Sequence, residues 1–216
     1  MGRESTRSSA PSGKRAERNR QAIVTAARET FTREGFDAGM DLIAAAAGVS
    51  KVTVYNHFGS KEELFTEVIG QAMGEAHTTM AEVRARLAET GDVREALLHT
   101  ARALVIAATD PSRMALRNLV TGELRRFPEL GEAYQRRGPA QSALGLSAVF
   151  RDLCERGQLA IPDFELAVIQ FFSLTIYPHL IVGSIGSGLR QDLADRLITE
   201  GVDLFLLRYA AQPPPG

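Results

Sequence analysis

Six residues between positions 51 and 61 have types and spacing that suggest chemistry: Lys51, Thr53, Tyr55, Asn56, His57 and Lys61. Hydroxyl, phenol and imidazole groups bond phosphate oxygens, a lysine adds positive charge, and an asparagine amide pairs bidentately with an adenine edge. Ser50 and Val52 lie in the same run. The set suits recognition of double-stranded DNA and has no catalytic arrangement. Elsewhere there is no nucleophile motif, phosphate loop or Cys/His cluster with metal-ligand spacing, so no enzyme activity, cofactor or metal is expected. His77, His99 and His179 stand singly on helical segments, where packing or surface roles suit them better than catalysis.

The elements that must hold these residues can be read around them. Residues 42–47 are alanine-rich and suit a short helix, which Gly48 stops. Ser50 is an N-cap for a second helix through about His57. Helix, glycine turn, helix is the helix-turn-helix arrangement, whose second helix enters the major groove. Val54 and Phe58, four apart, pack inward with Val49 and leave the polar set outside. Gly59 ends that helix, and Ser60 with Glu63 forms a capping box for the next. Lys61 sits in its first turn, where free backbone N–H groups and the helix dipole favour an anion.

The run AAAAGVSKVTVYNHFGSKEELF, with RQAIVTAARETFTREGF upstream, resembles the DNA-binding domain of the TetR family of bacterial transcriptional repressors. The resemblance covers roughly residues 18–69. It implies an all-helical homodimer that binds a palindromic operator and releases it when a small-molecule inducer enters the C-terminal domain. By position, Thr53, Tyr55, His57 and Lys61 match phosphate-contacting sites of the family. Two positions depart from its pattern. Gly39 stands where a Thr or Ser pair is usual, in a segment one residue shorter, and Val52 replaces a Gly or other small residue.

Charge supports a two-part chain. Net charge is −1, yet residues 1–61 hold ten Lys/Arg against six Asp/Glu, leaving an acidic remainder. A basic head on an acidic body suits a DNA-reading domain with a separate sensing domain. The expected division is a tail at 1–13, a head at 14–61, a helical regulatory and dimerisation domain at 62–211 and a tail at 212–216. Lys14, Arg15, Arg18 and Arg20 form a basic arm before a first helix from about Ala16 to Glu34, suited to a minor groove or flanking phosphates. No signal-peptide segment follows, and a lone Cys154 fits a reducing cytoplasm.

The body reads as successive helices. A long fourth helix is expected from Ser60 to about Glu89. Asp92 with Glu95, Asp110-Pro111 and Asp163 mark further starts, and Gly138-Pro139 and Pro178 mark interruptions. The segment RFPEL, from Arg126, resembles the AefR-like subgroup of TetR C-terminal domains. From Leu166 to Leu189 there is no charged residue, a run long enough to span a membrane. Its polar residues and Pro178 favour a buried interface helix instead, so no membrane partner is expected.

Arg117, Phe127, Tyr134, Phe171, Tyr177 and His179 are candidate ligand-binding residues, though the same types suit ordinary core packing. Leu174, Ile181, Leu204 and Leu207 are candidates for a dimer interface. The fold class is all-α: a three-helix DNA-binding head with a helix-turn-helix, and a helical ligand-binding and dimerisation body. Two other functions fit the pattern less well: a regulator without a small-molecule ligand, and an enzyme with a structural helix-turn-helix.

Overall fold

Capping side chains and glycines set the helix ends in the computed structural model, which describes residues 13–73, 91–186 and 188–211. Residues 1–12 and 212–216 of the expected tails, His77 and the expected course of the fourth helix from 74 to 89 lie outside the described residues. Contacts divide the chain into two units, Met1–Val68 and Ile69–Gly216. Among the described residues both are helical, with one isolated antiparallel bridge and no strand.

The first unit holds α1 (Gly13–Glu34), α2 (Met40–Ala46), α3 (Lys51–Phe58) and residues 61–68 of α4, which is described from 61 to 73. Ile23, Ala27 and Phe31 recur every four residues and put one face of α1 in the core. Phe31, Phe36 and Phe65 meet with ring centroids 5.1–5.6 Å apart. Each such fully buried ring stabilises the unit by about 1.5–3 kcal/mol. Gly48, at φ +67°, makes the turn between α2 and α3 in the left-handed region, where a Cβ is strained. Ser50 Oγ then accepts from Thr53 N at 3.1 Å, and Ser60 Oγ accepts from Glu63 N at 3.1 Å. α2 begins at Met40, two residues earlier than expected, with Gly39 at its N-cap and no side-chain cap. Val49 is only half-buried.

The second unit continues α4 and adds α5 (Val93–Ala108), α6 (Pro111–Glu123), α7 (Pro128–Arg137), α8 (Pro139–Glu155), α9 (Phe164–Thr175), α10 (Tyr177–Ser184) and α11 (Gln191–Tyr209). Asp92, Asp110 and Asp163 accept from backbone N–H groups at the starts of α5, α6 and α9. Phe150, Phe171 and Phe205 form a second ring cluster at 5.1–5.6 Å, joining α8, α9 and α11. Ala160 N donates to Tyr209 O at 2.8 Å and Ala211 N to Gln158 O at 3.1 Å, fastening the end of α11 to the loop after α8.

Pro178 explains the break between α9 and α10. It has no N–H for the Leu174 carbonyl, and the two helices bend by 49°. A Cβ on Gly201 of α11 would stand 2.8 Å from that carbonyl oxygen, so glycine lets α11 approach the freed group. Leu174 itself is half-buried and packs against the core of its own unit. The bent pair α9 and α10 is apolar enough together to raise the question of a span. Among the described residues no single helix is long and apolar enough to cross a membrane.

Candidate nucleic-acid interface and body cavity

On α3, Val54 and Phe58 are buried and turn the opposite side outward. Val52 is 68% exposed and Tyr55 43% exposed; Asn56 is also exposed, and Thr53 and His57 are half-buried. Two members of the polar set are engaged within the protein. Lys51 Nζ donates to Asp41 Oδ2 of α2 at 2.8 Å, which raises the lysine pKa through the hydrogen bond and the carboxylate charge. The hydroxyls of Ser50 and Thr53 lie 2.8 Å apart. Tyr55 and Asn56 therefore present the least encumbered polar groups on this face.

Lys61 places its ammonium 4.7 Å from the centre of the Phe36 ring. That contact holds the charge beside the first turn of α4, whose N–H groups favour an anion. Arg20 bonds Glu67 at 3.1 Å and lies over Phe58, tying α1 to α4 and α3. Lys14, Arg15 and Arg18 are exposed, but α1 already begins at Gly13. Lys14 and Arg15, expected to precede the helix, are therefore part of it, while Arg18 is helical as expected. The physical reason is that 13–18 contain no helix breaker after Gly13, so the helix extends to its first glycine.

The second unit contains a cavity of about 630 Å³ bordered by Leu104, Arg113, Tyr134, Leu144, Phe172 and Tyr177, among others. Arg113 is 6% exposed, and its Nη1 donates to Ala107 O at 3.0 Å. Burial pushes the Tyr134 phenol pKa up, opposed by the charges of Arg117 and Arg113. Tyr134 and Tyr177 border this cavity.

The other four ligand candidates do not. Phe171 is fully buried in the aromatic core, because α9 turns Phe171 inward and its neighbour Phe172 to the cavity. Phe127 precedes α7, half-buried beneath the Arg126 guanidinium at 5.2 Å. Arg117 influences Tyr134 without bordering the cavity. His179 borders a separate cleft of about 630 Å³ with Arg102 and Asp195. Its Nε2 is buried with no hydrogen-bond partner among the described residues. Burial lowers the imidazole pKa, against the raising effect of Asp195.

Arg113 is the residue that sequence reasoning missed. A signal existed: Arg113, Leu116 and Val120 follow i, i+3, i+7 and form the buried stripe of α6. An arginine on an apolar stripe marks a buried charge. Arg117, one turn later, falls off that stripe.

A short second helix presenting an exposed mixed face after a glycine turn has the helix-turn-helix arrangement of DNA-binding proteins. Residues 95–211 match the family described as AefR-like transcriptional repressor, C-terminal domain, and residues 23–68 match bacterial regulatory proteins, tetR family. The chain belongs to the TetR family, whose members are DNA-binding regulators and not enzymes. It is 42% identical over 84 residues to the transcriptional activator FasR of Mycolicibacterium smegmatis, covering 38% of this chain and 36% of that one. Over 85 residues it is 33% identical to the transcriptional repressor NicS of Pseudomonas putida, covering 39% and 40%. The chain thus spans well under half the length of these relatives. A solved TetR-family regulator from Mesorhizobium loti superposes with a TM-score of 0.82 at 29% identity, covering 91% of this chain and 98% of that one. The flavonoid-responsive regulator FrrA gives 0.72 at 28% identity, covering 91% and 100%.

Proposed function

We propose that this regulator is a repressor, working in the bacterial cytoplasm, that holds a palindromic operator as a homodimer and leaves it when a small molecule enters the body cavity. The observation that carries the ligand part is the cavity itself: about 630 Å³, mostly apolar, with Tyr134, Tyr177 and the buried Arg113 at its wall. Sites of this size and mixture suit small organic ligands. The flavonoid response of FrrA and the repressor description of the matching C-terminal family support the same reading.

α3 and the first turn of α4 supply the DNA contacts. Tyr55, His57 and Lys61 hold phosphates, and Val52 and Asn56 face the bases. Ile181, Leu204 and Leu207 are 60%, 54% and 84% exposed on α10 and α11, and a second copy covers them. Leu204→Glu should yield monomers or aggregates in sedimentation and lose palindrome binding; a wild-type chain that is monomeric at micromolar concentration would contradict the dimer.

Release requires the ligand to favour a form in which the recognition helices no longer fit the operator. A tenfold loss of operator affinity needs about 1.4 kcal/mol of differential binding. Reciprocity then requires operator DNA to weaken ligand binding tenfold. The test is titration of a compound that co-purifies with the protein, or a flavonoid probe, with and without operator. Equal affinities in the two titrations remove the switch.

A further inference from the structure

Among the described residues Val52 lies outside the core. It is 68% exposed, while Val54 and Phe58 of the same helix are 0% and 4% exposed. A β-branched residue on an outer helix face loses rotamer freedom and gains no burial, so packing does not account for its place. Its direction is informative. At 3.6 residues per turn, Val52 and Asn56 lie about 160° and 200° around the helix from Val54, on either side of the outermost line. Thr53 and Tyr55 flank them toward the two rims. Val52 is also in the first turn of α3, the part of a recognition helix that reaches base edges.

A valine at that pole offers only methyl groups. Among the major-groove edges, guanine, adenine and cytosine present hydrogen-bonding groups, and thymine alone adds a methyl group at C5. Purine acceptors facing Val52 lose water without gaining a partner. Residues four apart on a helix have Cβ atoms about 5–6 Å apart. One base-pair step is about 3.4 Å. We infer that Val52 reads the 5-methyl group of a thymine, one or two base pairs from an adenine held by Asn56. The inference rests on α3 being the helix in the major groove, and it goes beyond that reading by naming a base and the atom that is read.

The experiment replaces thymine with uracil, which removes the methyl group and keeps every hydrogen bond. Duplexes enriched by the wild-type protein from a random-sequence library define the half-site. That duplex is then made with uracil at each thymine of one half-site in turn, and affinities are measured for wild type, Val52→Ser and Asn56→Ala. One uracil position weakens the wild type about fourfold, as loss of one buried carbon group predicts. Val52→Ser binds the thymine and uracil forms equally, and Asn56→Ala keeps the uracil effect while losing preference for a nearby adenine. A wild type indifferent to every uracil overturns the inference, as does a Val52→Ser protein that keeps the fourfold difference. If Val52→Ser and Asn56→Ala both bind the selected duplex as the wild type does, the groove reading of α3 fails and takes the inference with it.

Discussion

The two units solve one packing problem in the same way and differ in what they leave open. Phe31, Phe36 and Phe65 in the head and Phe150, Phe171 and Phe205 in the body meet at the same 5.1–5.6 Å spacing. In the head, cations close over the aromatic rings: Lys61 on Phe36 and Arg20 on Phe58. In the body the core continues to a cavity of about 630 Å³ and an outer apolar face on α10 and α11. The head has a closed aromatic core beside an exposed mixed face on α3; the body core borders a mostly apolar cavity. Core composition therefore says little about function here, and the surroundings of each core say more.

The largest effect that tests this contrast belongs to Phe171. Truncating a fully buried Phe costs about 3–5 kcal/mol. Phe171→Ala should lower the midpoint of chemical denaturation far more than Phe127→Ala, because Phe127 is half-buried outside the aromatic core. Similar losses for the two would dissolve the distinction between core and periphery drawn for the body.

Gly201 sharpens the same contrast from the backbone side. Gly201→Val brings side-chain carbon against the Leu174 carbonyl oxygen and forces α11 away from α9. Overpacking of this kind costs about 1–3 kcal/mol. The measurement is thermal unfolding, and a Tm equal to that of the wild type would mean that the freed carbonyl does not fix the approach of α11.

In the head the expected loss is of binding. Lys61→Ala should lower affinity for all duplexes similarly and reduce the slope of log affinity against log salt by about one unit. An unchanged slope would make Lys61 a cap on Phe36 alone. Asp41→Ala provides the complement: it frees Lys51 and should steepen the slope if the ammonium then reaches a phosphate.

The smallest effect concerns pH. Burial disfavours charged His179, so its folded pKa lies below the ordinary value of about 6.5. Stability from this group is complete above that value and falls as pH drops through it toward the folded pKa. His179→Gln should flatten the decline in Tm below about pH 6.5, with Asp195, the opposing charge, retained. A decline as steep as in the wild type would assign it to other groups.

Head and body also differ in how far the sequence alone could be read. In the head, Ser50, Gly48, Gly59 and Ser60 act within a few residues of themselves, through caps and left-handed turns, so α3 and its outward face follow from local order. Helix starts at Asp92, Asp110 and Asp163 are legible for the same reason. Pairings between distant positions are not. Lys51 with Asp41 and Arg94 with Asp203 depend on which helix faces meet, as does the separation of Phe171 from Phe172. Arg113, missed in the sequence, shares a buried stripe with Leu116 and Val120, yet only packing brought Arg113 itself to the cavity. Sequence by itself determined most of the elements, their caps and the outward face of α3, since those are set by neighbours along the chain. Tertiary structure decided which cations remain available and where the cavity lies, since those depend on contacts across the fold.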